Sequence, residues 1–315
     1  MSPDNGSLSD AADREITVSG RILGQDSIQN PDPAGAATAE KATAEKPTVG
    51  EVIAALDAWY PPATAASWDR VGLVLGEPTA RVERVLCVVD VVPETARQAL
   101  DLGVQLIVSH HPLLFRGVSS VAPTTYAGRI VHDLIRGGVA LHVAHTNADV
   151  APDGVNEALA DLFGLTDREL MTPEGIGRVG TLPTPLPLRE LTKKAAEVLP
   201  VTAWGVRAAG DPDRMISRLA VSSGSGAEHL ADVAVTGADA VVTSDVKHHY
   251  ASEHIASGGP AIIEAAHWAT EWPWLPRVAE LLRNRFGIET IVSQIRTDPW
   301  NLYAPGGELI REQRG

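Results

Sequence analysis

Residues 84–112, RVLCVVDVVPETARQALDLGVQLIVSHHP, decide the fold class. RVLCVVD is a short apolar run rich in β-branched residues, which predicts a buried strand. PETARQALDLG carries Pro93 in its first turn and Gly103 at its end, the asymmetry expected of a helix. VQLIVS is a second buried strand, and it runs directly into His110, His111 and Pro112. Neighbouring side chains on a strand point to opposite faces, so two buried histidines there would need two sets of partners. At the strand's end, where Pro112 stops the ladder, both rings can turn toward one cleft and each could hold a different metal ion. Exposed loop histidines are the plain alternative, and the rest of the chain has to decide between them.

The same alternation continues on both sides. TVGEVIAALDAWYP opens on Thr48 with Glu51 three residues on, a capping-box signature. SWDRVGLVLGEP reads as strand or turn, GRIVHDLIRGG as helix, VALHVAHTNAD as strand and GVNEALADLFG as helix. Strands alternating with helices predict an α/β fold with mostly parallel sheets. TPEGIGRVGTLPTPLP, residues 172–187, is rich in proline and glycine and reads as a linker, or as a strand pair at a sheet edge. Beyond it come a helix (LRELTKKAAEVLP), a strand–glycine turn–helix unit (RLAVSSGSGAEHLADVAVTG) and two strands, ADAVVTSDVKHH and GPAIIEAAHWATE, each ending on polar residues. The reading is therefore two similar α/β lobes, residues 47–171 and 188–315, with the chemistry at strand carboxyl ends between them, where open α/β sheets place their ligands.

Residues 1–46 differ. They hold eight acids (Asp4, Asp10, Asp13, Glu15, Asp26, Asp32, Glu40, Glu45) and four bases (Arg14, Arg21, Lys41, Lys46), and PDPAGAATAEKATAEKP has almost nothing to bury. That composition predicts a disordered acidic extension. A net charge of −14 argues against a nucleic-acid backbone or an anionic membrane as the main partner, while leaving room for a small anionic substrate drawn to a metal. The single cysteine, Cys87, excludes an internal disulfide and a thiolate cage. It lies in an apolar run and is expected to be buried and inert, as in a reducing cytoplasm. There is no signal-peptide pattern and no apolar run of membrane-spanning length, so a cytoplasmic protein is expected.

Four clusters stand at four expected strand ends: SHHP (109–112), HTNAD (145–149), SDVKHH (244–249) and HWATE (267–271). They contain six of the ten histidines: His110, His111, His145, His248, His249 and His267. Imidazoles with carboxylates and no thiolate suit zinc, iron, manganese or nickel, and speak against a structural zinc site. His267 and Glu271 share one face if their turn is helical. The glycine turn SSGSGAEHL either cradles a phosphate or lets strand and helix pack closely. Lys247, His248 and His249 line a pocket or form a solvated face. Trp272 and Trp274 are read as core or subunit packing, with stacking on a ring-shaped substrate as the alternative.

From about Thr48 to about Ile310 the chain resembles the GTP cyclohydrolase 1 type 2 homologue family, the Ngg-interacting-factor-like proteins. SWDRVGLVLG, LIVSHHPLLF, AHTNADVAPDGVNEALA, AVSSGSGAEHL, VVTSDVKHH and AHWATEWPWL carry the resemblance. It implies a paired metal site held by His110, His111, Asp149, His267 and Glu271, and a ring-shaped homo-oligomer, a hexamer, with its sites facing an inner cavity. The chain departs from the family pattern at Arg70, where asparagine is common after Trp–Asp. It departs also at Ser244–Asp245, where Gly–Glu is common, and at Ala266, where glycine is common. Longer members carry an inserted middle domain where this chain has residues 172–187.

The function expected on these grounds is a hydrolase with two divalent ions, which would polarise a water and lower its pKa toward neutral for attack on a small, purine-like nucleotide. The resemblance implies opening of the imidazole ring of GTP at C8. His145 and Asp245 are the expected proton shuttles, with His145 alternatively supporting Asp149 from behind. A metal-binding scaffold or adaptor without turnover is the reading of another class.

Overall fold

The computed structural model describes residues 45–304, and the expected extension therefore lies, up to residue 44, outside the described residues. The chain forms a mixed α/β structure with two sheets. The first half carries β1 (Gly72–Leu75), β2 (Arg84–Val88), β3 (Leu106–Ser109), β4 (Ala140–Val143) and β5 (Thr166–Leu170). The second carries β6 (Arg178–Pro187), β7 (Arg207–Ala209), β8 (Met215–Ser225), β9 (Ala240–Ser244), β10 (Ala261–Glu264) and β11 (Glu289–Val292). The helices are α1 (Val49–Trp59), α2 (Pro93–Leu102), α3 (Tyr126–Arg136), α4 (Thr146–Val150), α5 (Val155–Leu162), α6 (Leu188–Val198), α7 (Leu230–Val235), α8 (His248–Ala256), α9 (His267–Glu271) and α10 (Trp274–Phe286). None of the described helices is long and apolar enough to cross a membrane.

Local sequence sets the elements much as expected. Thr48 accepts the Glu51 amide while Glu51 reaches back to the Thr48 amide, so the capping box forms. Gly103 ends α2 in the left-handed region at φ 63°, where a Cβ would be strained. The central strands β3, β9 and β10 are buried throughout, as parallel strands covered on both faces must be. Each leucine or isoleucine they bury contributes about 1.5–3 kcal/mol. Cys87 lies in β2 with no exposure, as expected, and burial pushes its thiol up to about 12.

The first sheet has the order β1-β4-β3-β2-β11, parallel except for the β1–β4 edge, which matches the expectation. The second, β5-β6-β8-β9-β10-β7, does not. Only β8–β9 and β9–β10 are parallel, and the pairs β5–β6, β6–β8 and β10–β7 are antiparallel. The two sheets also interleave along the chain. β5, from the expected first lobe, joins the second sheet, and β11 returns from the far end to pair with β2.

The expected linker at 172–187 contains β6, which sits inside the second sheet between β5 and β8. Its prolines left a strand there only as the alternative to a linker. Pro183 and Pro185 fall where the β6–β8 register shifts, between Thr181 and Leu186, so the segment keeps its strand while losing donors a proline cannot supply.

Candidate metal centre

The carboxyl ends of strands from both sheets converge on one group of side chains. His110 and His111 follow β3, His145 and Asp149 follow β4, Asp245 follows β9, and His267 and Glu271 open and close α9 after β10. Glu271 lies at the middle. Its Oε1 is 2.9 Å from His267 Nε2 and 3.4 Å from His110 Nε2, and its Oε2 is 3.1 Å from His111 Nε2. Asp149 Oδ1 is 3.8 Å from His110 Nε2 and accepts from Ser223 Oγ at 3.1 Å. The five residues expected as ligands are therefore brought together.

The imidazoles share one device. His110 Nδ1 donates to the Ala144 carbonyl at 3.0 Å, His111 Nδ1 to Asp90 at 2.7 Å, His145 Nδ1 to Asp69 at 2.8 Å and His267 Nδ1 to Asp245 at 2.7 Å. With each Nδ1 engaged, each Nε2 is free to present a lone pair, and ligating histidines are set in this way. Two overlapping groups have ligand atoms close enough to hold an ion: His110, His111 and His145, and His111, His267 and Glu271. His111 belongs to both.

The surroundings fit a cation. His110 Nε2 and Glu271 Oε2 are buried and, although they lie near Glu271 Oε1 and His111 Nε2, they make no well-aligned hydrogen bond, which costs stability unless something else satisfies them. Against burial, which alone would lower it, Glu271 and Asp149 raise the His110 pKa. His111 behaves likewise: Glu271 and Asp90 outweigh burial and push it up to about 10. Burial raises the Asp149 carboxyl, whereas the three histidines around Glu271 hold it well below its usual range despite burial. Three imidazoles close to one carboxylate favour the protonated form when no ion is bound, and ligands of this kind exchange protons for metal.

Gly224 closes the wall. It has φ +60°, and a Cβ there would lie 2.5 Å from Glu271 Oε1 and 3.1 Å from His267 Nε2. Gly226 leaves no more room: its Cβ would lie 2.0 Å from Thr243 Oγ1. The glycine turn is thus a close-packing device beside the cluster. Its position is fixed by Thr270 Oγ1, which accepts the Gly224 amide at 2.9 Å.

Several expectations are refined. His145 turns its Nδ1 to Asp69 rather than to Asp149. Asp245 is placed to hold His267, with its backbone in the left-handed region at φ 55°, a strained conformation for a residue other than glycine. Lys247, His248 and His249 are exposed around the start of α8 and take no part in either group. Trp274 is fully buried and donates to Tyr60 Oη, so it is core. Sequence reasoning missed Asp69 and Asp90. Asp90 follows β2 just as the histidine clusters follow their strands, and that shared strand-end position was the available signal. Asp69 lies in a loop, and only its place in SWDRVG pointed to it.

The Duf34/NIF3 (NGG1p interacting factor 3) family model matches residues 47–299. A Streptomyces coelicolor protein described as "GTP cyclohydrolase 1 type 2 homolog" is 47% identical over 270 residues, covering 82% of this chain and 95% of its own. A Mycobacterium tuberculosis protein of the same description is 35% identical, covering 81% and 97%. Its alignment of 368 residues exceeds the 315 of this chain, so that relative carries residues without counterpart here. Among solved structures, a Bacillus cereus protein related to NIF3 superposes with a TM-score of 0.77 at 21% identity, covering 82% of this chain and all of that one. A hypothetical protein of Staphylococcus aureus superposes at 0.76 and 28%, with the same coverage. With motifs, fold and full-length relatives in agreement, the chain belongs to the Duf34/NIF3 family.

Proposed function

We propose that the protein is a hydrolase that works with two divalent metal ions on a small nucleotide substrate. The observation that carries this reading is the inward set of four Nε2 atoms, each fixed through its Nδ1, around the buried carboxylate of Glu271. His110, His111, Asp149, His267 and Glu271 would hold the ions, and His145 extends the set on the side of His110 and His111. When bound, such ions supply Lewis-acid polarisation and a water acidified toward neutrality.

The protein's own groups do the rest. Glu271 places one negative charge between three imidazoles and offsets part of the cationic charge. Asp245 Oδ2 holds the proton on His267 Nδ1, and its carboxylate is half exposed, so it is placed to pass protons between the cluster and solvent. His145, with Nδ1 committed to Asp69, can exchange a proton only at Nε2. The relatives' description points to GTP as the first substrate to try. The family resemblance of the motifs implies a ring-shaped homohexamer, and a single, buried, unpaired cysteine fits a reducing cytoplasm.

The test is elemental analysis of protein purified without chelator, followed by turnover assays across nucleotides and phosphodiesters. About two equivalents of zinc, iron, manganese or nickel with metal-dependent turnover are expected. Bound metal with no turnover on any of them would replace the hydrolase by a metal-binding scaffold.

A further inference from the structure

Trp68 and Phe115 are exposed aromatic side chains that pack ring to ring with a histidine of the cluster. Trp68 is 56% exposed and Phe115 44%. Their rings meet edge to face at 5.8 Å, and each lies 6.1 Å from the His145 ring at a steep angle. A single exposed apolar residue needs no explanation, but two held side by side next to a polar centre do.

The backbone beside them is held in place. Asp69, next to Trp68, accepts from His145 Nδ1 at 2.8 Å, from the Thr146 amide at 3.0 Å and from Thr146 Oγ1 at 2.5 Å. The Ala66 amide donates to Thr146 Oγ1 at 2.9 Å. The carboxylate that aims His145 thus also fixes the loop that carries Trp68, and the aromatic face is preformed rather than ordered on binding. Phe115 follows His111 by four residues on the other side.

Arg70 completes the edge. Its Nη1 donates to the carbonyls of Asp69 at 2.7 Å and Trp68 at 3.4 Å, and its guanidinium has no carboxylate partner among the described residues. Arg70 is exposed and follows directly on Asp69, the residue that aims His145. This is also the position at which the chain departs from the Trp–Asp–Asn pattern.

We propose that Trp68, Phe115 and Arg70 form the substrate-recognition edge of the centre: the aromatic pair stacks a flat heteroaromatic ring and Arg70 takes its anionic group. The ligand class is a phosphorylated heterocycle. Aromatic faces hold bases through stacking, and guanidinium groups match phosphate oxygens. The inference deepens the hydrolase reading and rests on it for the reaction, while binding alone tests it.

The experiment titrates manganese-loaded full-length protein with guanosine 5′-monophosphate, guanosine and ribose 5-phosphate, by calorimetry, with metal content and solution mass measured on every variant. The monophosphate is expected to bind most tightly. Trp68→Ala should weaken both guanosine and its monophosphate by about 5- to 150-fold, the range of one base–aromatic stack, and Trp68→Phe should recover most of that. Arg70→Asn should weaken the monophosphate by about 10-fold and leave guanosine unchanged, with the difference shrinking in high salt. Absence of monophosphate binding, equal binding of ribose 5-phosphate, or unchanged monophosphate binding by Trp68→Ala would overturn the proposal. If unchanged binding comes with a smaller assembly, the aromatic pair is instead a contact between copies of this chain. Loss of the hydrolase reading would show separately, as protein without metal or without turnover.

Discussion

The first sheet presents three imidazoles to the cluster, while the second presents one imidazole and the shared carboxylate. On the first side two of the three anchors are deep: His110 is fully buried on a backbone carbonyl, and the Asp69 side chain behind His145 has no exposure, while Asp90 behind His111 is 27% exposed. On the second side His267 is 33% exposed, and its anchor Asp245 is 55% exposed on a strained backbone. The same Nδ1 device is thus built once into a rigid wall and once at an open mouth. A rigid wall fixes position, and an open mouth lets ligand, proton and ion exchange. We therefore expect the ion on the His110–His145 side to be retained and the one on the His267 side to exchange faster.

Glu271→Gln should break that asymmetry altogether and gives the largest effect. The change keeps shape but removes the charge that three imidazoles share, so both ions should be lost and turnover with them. Elemental analysis of the purified variant reads this directly. Two retained equivalents would show that the Glu271 charge is not needed to hold either ion. The single histidine variants sharpen the comparison. His111 belongs to both groups, so His111→Ala should lower binding of both ions, whereas His145→Ala should touch one and His267→Ala the other. A His111→Ala protein that binds one ion with unchanged affinity would separate the groups that the geometry joins.

Protonation offers a test that needs no substitution. In the metal-free protein His111 is pushed up to about 10 and His267 is raised well above its ordinary 6.5. Groups raised on folding contribute stability that is fully present below about 6.5 and lost as pH climbs toward about 10. Metal binding displaces those protons, so its affinity should rise over the same window. Melting temperatures measured from pH 6.5 to 10 should therefore fall in chelator and rise relative to it with manganese or zinc. Parallel curves with and without metal would mean that the ions bind elsewhere.

How much of this the sequence disclosed follows from what each feature depends on. The β2–α2–β3 unit and the ligand clusters at strand ends depend on local periodicity and adjacency, and both were legible. The interleaving of the sheets was not, because β11 joins β2 across about two hundred residues and no local pattern encodes that pairing. The prolines of β6 left its strand open only as the alternative to a linker. The five clustered residues expected as ligands were readable as motifs, yet their anchors split. Asp245, Asp69 and Asp90 act through contacts 22, 76 and 21 residues away, and of these only Asp245 lay inside one of the four strand-end clusters. Partners at such range appear only when the chain is folded.

Those anchors give the smallest and most discriminating effects. Asp69 uses both oxygens: Oδ1 accepts from His145 Nδ1 and the Arg70 amide, and Oδ2 from the Thr146 amide and hydroxyl. An asparagine there must turn its NH₂ group toward a donor whichever way it is flipped. Asp245 has a simpler task, since only Oδ2 accepts, from His267 Nδ1, and the carboxylate is half exposed. An asparagine at 245 can supply that acceptor and leave its NH₂ in water. Asp69→Asn should therefore lower both melting temperature and metal affinity, the latter by about 10- to 100-fold, the usual cost of losing a partner behind a ligating histidine. Asp245→Asn should cost about 10-fold or less in affinity and leave melting temperature unchanged. Calorimetric titration of zinc or manganese into each metal-free variant, with a thermal scan alongside, makes the measurement. If Asp245→Asn proves the more damaging of the two, the rigid side and the adaptable side have been assigned the wrong way round.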